Sequence, residues 1–600
     1  MGRVFRQRCL GVTLSFLVLA ESGRMIPVLA QTTGPEAPAA AGGGPAAGGG
    51  TQQPLVPGGA ADILPPPPGG GFGFANPLTP PNATGNVVAP PLPTTALGLP
   101  APGAGVGTLQ QNDPNAPAYL IRPRVSVSET FTDNVNYAHS PRIADAYTNV
   151  LPGLSFSADT PRFQGVATGN LNAYIYARES SFDQVVGNLY ANGFGTIWPD
   201  ALFVDLQSLI TQSATTPTFG FQNLSQLPTN QQTQVFSNSV SPYFRKSFDG
   251  LVDSELRYRF GATNYGGNTT VVAPTPTSSS LTFGVLNEGT LTVATGRDFE
   301  RVLSRATVDA ANFNASFTNR NTQVSAFDDL EYRITPQIAA LARAGYQNIR
   351  FPGSPAATFA GATWLAGGRI GNYGPEPAYL SLEYGRVQGV YGFTGAAQYA
   401  ITPTMFFTAN LVQGLSTSTQ YIQGSLANST LDPYGSIVDE FSGLPTAFYS
   451  PGLGLTNNVY RQQIVSAGLT ETIGTNRISL YANYANQRSL TTLSLTSPTT
   501  APTKTYGLNL VLSRDIRPDL TGYTSVGYNN STNVVTSTTT APASSQNNVY
   551  ATIGVNYVLT QTLTGSILYT LSYQSNGSGF GGGTGDVVVN QLVLQLSKTF

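Results

Sequence analysis

The chain has 600 residues, a formal net charge of −2 and only 10% charged residues, against the ~25% usual in soluble domains. That balance offers no electrostatic footprint for nucleic acid. One cysteine, Cys9, and one histidine, His139, leave no disulfide framework and no Cys- or His-based metal site to build.

Residues 1–30 read as a secretory signal. Arg3, Arg6 and Arg8 form a basic start, and residues 9–20 form a short apolar stretch. Cleavage fits after Ala30, and by the same small-residue rule after Ala20. The apolar stretch is too short to anchor, and no later run reaches the ~20 apolar residues of a transmembrane helix. Any membrane span must then be a closed barrel, the other way to satisfy every backbone polar group in lipid.

Residues 31–117 are low in complexity, running through GPEAPAAAGGGPAAGGG, LPPPPGGGFGF and APPLPTTALGLPAPGAG. Such a segment cannot bury enough apolar side chain to offset its ordering entropy. A disordered periplasmic leader of mixed Gly-rich and polyproline character is expected.

From Tyr119 the character changes to alternating apolar and polar residues, the period of a strand with two unlike faces. Short connections centred on Pro, Gly or Asp, such as YRITPQI (332–338), YAITPTM (399–405) and KSFDGL (246–251), take turns with longer Ser/Thr/Asn/Gly-rich stretches such as 214–234, 266–279, 416–461, 489–503 and 530–547. Short turns on one side and long loops on the other are the pattern of a transmembrane β-barrel. About 22 alternating segments can be counted, within a range of about 18–22. An even count places both chain ends on the short-turn, periplasmic side. The expected fold is therefore all-β, a large antiparallel transmembrane barrel over residues 118–600 behind the leader.

The facing pattern names candidate residues. Glu255, Arg257 and Arg259 oppose Leu256, Tyr258 and Phe260; Glu331 and Arg333 oppose Leu330, Tyr332 and Ile334. With Glu383, these charged residues are expected to line the lumen. Both signs are present, which argues against a strongly ion-selective pore. Interior Tyr481, Tyr523 and Tyr550, among Asn, Ser, Thr and Gln, would suit a saccharide path. Tyr258, Tyr332, Tyr399 and Tyr557 lie near short turns and are expected at one membrane interface.

The chain ends VVVNQLVLQLSKTF. Leu592, Leu594, Leu596 and Phe600 share a face, as expected of a closing strand whose terminal aromatic is read by the barrel-assembly machinery. Lys598 on the same face departs from that pattern, though a lysine near the interface can snorkel. In the first strand, Glu129 and Asp133 share a face with Val125, Val127 and Phe131, a costly place for carboxylates in lipid. A bulge, the rim, or the seam with the last strand could each accommodate them.

The run SETFTDNVN in the first strand, with PGLSF (152–156) some way on, resembles the outer-membrane β-barrel porin-2 family, whose members are often associated with exopolysaccharide systems. The resemblance is best over residues 122–176. It implies an outer-membrane barrel and carries no catalytic residues or substrate.

Together these readings predict a porin-like outer-membrane channel for passive passage of small hydrophilic solutes or saccharides, without a cofactor. The alternative is a structural or assembly barrel of an envelope or exopolysaccharide system, whose leader docks periplasmic partners. An enzyme is not expected. His139 is a lone loop histidine, Asp328, Asp329 and Glu331 read as solvated charges, and GGGTGD (581–586) lacks the Gly-Lys-Ser/Thr ending of a phosphate loop.

Overall fold

The computed structural model describes residues 118–214, 232–266, 283–296, 298–315, 320–352, 357–372, 378–431, 437–439, 459–490, 503–533, 544–578 and 584–600. The signal and leader expected over 1–117, and parts of the long connections, lie outside them.

The strands run β1 Tyr119–Thr132, β2 Asp145–Asp159, β3 Phe163–Tyr176, β4 Gln184–Trp198, β5 Leu202–Ala214, β6 Gln232–Phe248, β7 Val252–Gly266, β8 Phe283–Thr295, β9 Val302–Ala315, β10 Asn321–Thr335, β11 Ile338–Arg350 and β12 Phe359–Asn372. They continue with β13 Ala378–Val387, β14 Val390–Thr402, β15 Met405–Ser416, a small hairpin of β16 Ser429–Leu431 and β17 Ile437–Asp439, then β18 Tyr460–Ile473, β19 Asn476–Ser489, β20 Thr503–Arg517, β21 Leu520–Asn533, β22 Ser544–Thr560, β23 Leu563–Ser578 and β24 Thr584–Thr599. Apart from the small hairpin they form one antiparallel sheet of 22 strands, and β1 pairs with both β2 and β24. The sheet is a closed barrel with no free edge.

One end carries tight connections at 160–162, 199–201, 249–251, 336–337, 403–404, 474–475, 518–519 and 561–562, and also both ends of the barrel chain. Asp249 and Gly250 adopt φ of 49° and 80°, the left-handed pair that a tight hairpin with the right twist requires. The other end carries longer connections, with one exception. Gln388 and Gly389, at φ of 52° and 75°, turn β13 directly into β14.

The outward face of the barrel is apolar, and on most of its strands it is exposed. Val125, Val127, Leu256, Leu291, Val308, Leu330, Leu382, Leu510, Ile553, Ile567 and Leu594 sample it around the circumference. A monomer in water keeps contiguous apolar patches to a few hundred Å². A belt that runs around the whole barrel needs lipid, not water, as its solvent. No helix of the described residues is long and apolar enough to cross a membrane.

Closure is stitched by side chains as well as by the ladder. The β1–β24 register runs from Arg124 opposite Thr599 to Thr132 opposite Gln591. At one end the Phe600 amide donates to the Pro123 carbonyl at 3.0 Å. Three residues further along β1, Ser126 Oγ donates to Ser597 Oγ at 2.8 Å. At the other end Asp133 accepts from both the Asn590 amide and Asn590 Nδ2, each at 2.7 Å. Asp133 is thus a rim residue at the seam, just past the end of β1. Glu129 accepts from Thr148 Oγ1 at 2.7 Å on the neighbouring strand, and β1 runs without a bulge. Replacing Asp133 with alanine removes two charge-assisted bonds, a loss of roughly 2–4 kcal/mol. The heat-modifiable form on a gel should then unfold at lower temperature than wild type. An unchanged transition would mean that the seam closes without Asp133.

Candidate functional site

Alternation puts Glu255, Arg257 and Arg259 on the inner face of β7, Glu331 and Arg333 on that of β10, and Glu383 on that of β13. The register then supplies partners from neighbouring strands. Arg245 on β6 stands opposite Glu255 and bonds it at 2.8 Å. Arg257 bonds Glu255 at 2.8 Å and also pairs with Asp205 on β5. Its guanidinium lies 3.9 Å from the Tyr243 ring centroid, a cation–π contact that stiffens it. Arg259 meets Glu288 on β8 at 2.5 Å.

The next arc repeats the scheme. Arg305, Asp329 and Arg343 form one cross-strand row over β9, β10 and β11, with Asp329 held at 3.3 and 2.6 Å by the two arginines. Glu331 is held by Arg333 at 3.1 Å and by Arg369 on β12 at 3.4 Å. Glu383, across from Thr394, makes no ion pair among the described residues. The inner wall from β5 to β13 is therefore densely charged, with each of these arginines paired to a carboxylate. A charge whose counter-ion sits one strand away projects little field across a lumen.

Above the β7 ladder lies a helix the sequence did not announce. The connection after β15 was expected to be an extended outer loop. Instead, α1 Ser418–Ala427 folds inward. Thr417 opens it with a capping box. The Gln420 amide donates to Thr417 Oγ1, and Gln420 Oε1 accepts from the Thr417 amide, both at 3.2 Å. Ile422 and Leu426, 1% and 0% exposed, pack into Tyr190, Leu209, Val235 and Tyr265, inward residues of β4, β5, β6 and β7.

Polar latches flank that cluster. Gln423 Nε2 donates to Ser237 Oγ at 2.8 Å and Thr263 Oγ1 at 2.7 Å. Tyr265 Oη and Thr419 Oγ1 lie 2.8 Å apart, and Tyr190 Oη donates to the Ser429 carbonyl at 2.7 Å. Gln420 reaches Asn321 on β10 at 3.1 Å. On β7, Gly261 lies directly under Gln423, where a Cβ would come within 2.5 Å of its amide oxygen. The chain leaves β15, meets β10, and ends on β4 and β5, so α1 bridges the inside of the barrel.

The remaining sequence candidates fall as follows. Leu592, Leu594, Leu596 and Phe600 face outward, Phe600 at 65% exposed, and the Lys598 ammonium lies 5.1 Å from the Phe600 ring centroid. Tyr258, Tyr332, Tyr399 and Tyr557 also face outward. The last three lie close to the short turns. Tyr258 is deeper in its strand, and its hydroxyl donates to Asn287 at 2.7 Å. Tyr481, Tyr523 and Tyr550 point inward. Asp328, Asp329 and Glu331 are split by alternation: Asp328 faces out and accepts from Ser304 Oγ at 2.7 Å, while the other two belong to the inner ladder. His139 is taken up by the seam, its Nδ1 2.8 Å from the Asp586 carbonyl.

No family model and no curated protein matches the chain, so the resemblance at residues 122–176 has no family match behind it. Solved structures do match. A ferric enterobactin receptor (PfeA) mutant from Pseudomonas aeruginosa is similar at 10% identity, with 80% of each chain covered and a TM-score of 0.40. The outer membrane protein OpdK of the same organism is similar at 9% identity, covering 80% of this chain and 99% of that one, with a TM-score of 0.31. OccAB3 of Acinetobacter baumannii is similar at 8% identity over 80% and 99%, with a TM-score of 0.30. The barrel here rests on its own strand register and its own apolar belt.

Proposed function

We propose that the protein is an outer-membrane channel, narrowed by an inward-folded helix, that passes small hydrophilic solutes or saccharides passively. The observation that carries this reading is α1, held against the inner wall of β4–β7 directly above a charge-balanced ladder. A helix placed there sets the width of a path, and a polar wall of paired charges admits solutes without demanding one sign of charge. The amides and hydroxyls around Tyr481, Tyr523 and Tyr550 supply hydrogen bonds and ring faces of the kind a sugar uses. The resemblance of residues 122–176 to the porin-2 family points the same way. The long-connection end faces out, and the leader lies in the periplasm. Purified protein in planar bilayers should give stepwise conductance of weak ion selectivity. A folded, heat-modifiable protein that stays silent would overturn the channel.

Silence would favour a second reading, a structural barrel of an envelope or exopolysaccharide system with its leader docked on periplasmic partners. The observation on its side is how thoroughly the inner wall is covered: Glu255, Glu331, Gln413 and Asn529 are all 0% exposed.

Insertion is assigned to the terminal strand, with Phe600 as the residue that the assembly machinery reads. Removing Phe600 should lower the outer-membrane amount of folded barrel more than Lys598→Ala does, measured by fractionation and heat modifiability. Equal amounts would refute the assignment.

A further inference from the structure

The outer face of β18, β19 and β20 changes chemistry in steps. Nearest the middle of the strands, Leu469, Leu480 and Leu510 stand side by side in register. Two residues further, Ala482 and Leu508 are joined by Tyr528 of β21. The next row holds Tyr484 and Tyr506, ring centroids 5.4 Å apart. Asn486 and Lys504 follow, and Arg461 opposite Arg488 closes the series at the long-connection end. Each step of two residues advances about 7 Å along the strand. Arg461, Arg488 and Lys504 are all exposed, and none makes an ion pair among the described residues. The connection from 489 to 503 and the residues from 534 to 543 contain no Asp or Glu. The connection that leads into Arg461 carries Asp432, Asp439 and Glu440, and on the strands at this end Glu129, Asp133 and Asp586 of the outer face already have partners.

We infer that Arg461, Arg488 and Lys504 form a binding site for the phosphate groups of a phosphorylated glycolipid in the outer leaflet, with Tyr484, Tyr506 and Tyr528 holding its acyl–headgroup boundary. The order of the rows matches the order of chemistries met on leaving a bilayer: apolar, then aromatic at the interface, then cationic at headgroup level. Three cations with no ion pair among the described residues, two of them cross-strand neighbours, repel one another, and an anion seated between them relieves that repulsion. Arginine's forked donors suit phosphate oxygens. The site rests on the reading that the barrel spans the outer membrane with its long connections outward. It is independent of whether the lumen conducts.

The test uses full-length refolded protein in detergent micelles, with diphosphoryl lipid A added, beside the triple variant Arg461→Gln, Arg488→Gln, Lys504→Gln. Diphosphoryl lipid A should raise the unfolding temperature of wild type and leave that of the variant unmoved, while fully dephosphorylated lipid A raises neither. Inorganic phosphate alone should not reproduce the rise, because the tyrosine rows need the lipid. Heat modifiability without lipid confirms that the variant folds, and Tyr506→Ala, which keeps all three cations, should show a diminished rise. An equal rise in wild type and triple variant overturns the site, as does an equal response to dephosphorylated lipid or to free phosphate. Bilayer conductance of the triple variant should match wild type, so a silent pore and a failed lipid site give different results.

Discussion

Replacing Ile422 and Leu426 together with aspartate should raise single-channel conductance more than any other pair of changes in the barrel. These two side chains are the apolar hold of α1 on the wall formed by Tyr190, Leu209, Val235 and Tyr265. Their burial contributes roughly 3–6 kcal/mol of docking. Aspartates in the same cluster would also have to enter it uncompensated, which costs more than the lost burial. The helix is not part of the barrel ladder, so its release leaves the 22-stranded sheet closed. Heat modifiability should therefore match wild type while the current step grows. Gln423→Ala is the graded control. It removes the two bonds to Ser237 and Thr263, about 1–3 kcal/mol, and leaves the apolar hold intact, so its conductance should fall between the two. If all three proteins show the same step, α1 does not set the width of the path.

The contrast between α1 and the strands shows what kind of information the sequence carries locally. Alternation depends on neighbouring residues alone. Glu255, Arg257 and Arg259 could therefore be set apart from Leu256, Tyr258 and Phe260 without knowing any partner. The turn at Asp249 and Gly250 is equally local, since those residue types tolerate the left-handed backbone that it needs. The helix has only one local mark, Thr417 and Gln420 at capping-box spacing in a long polar connection. What holds it in place comes from four strands far away in the chain. Tyr190 and Tyr265 each look like ordinary inward tyrosines until the fold brings them to Ile422.

The ion pairs are illegible for a related reason. Arg257 and Asp205 are two strands apart, and their meeting depends on the register of both hairpins between them. The tight turn at Gln388 and Gly389 breaks the expected rule that one end carries only long connections. Its first residue is a buried glutamine at positive φ, a choice no turn preference predicts. Gln388 is kept there by tertiary bonds, its amide donating to Gln347 Oε1 at 2.8 Å and its Oε1 accepting from the Leu415 amide at 2.6 Å.

The charge ladder makes the second large prediction, and its sign follows from which partner is removed. Asp329 pairs with both Arg305 and Arg343, and Glu331 with both Arg333 and Arg369. Changing Asp329 to Asn and Glu331 to Gln keeps the shape of both side chains and leaves four arginines on one arc facing the lumen without these carboxylates. The field there becomes positive, and water in the lumen screens it only over about 10 Å at 0.1 M salt. The reversal potential in a KCl gradient should move from near zero to a clear anion preference. Raising the salt should shrink the shift, as expected for a field rather than a change of width. The mirror variant, Arg343→Gln with Arg369→Gln, should move it toward cations. The aspartate change should also soften the β9–β11 row, because it leaves Arg305 and Arg343 facing each other across one strand. A pore whose selectivity ignores both variants would have its conducting path along the neutral wall of β18–β24 instead, and Tyr523 and Tyr550 would then be the side chains to replace next.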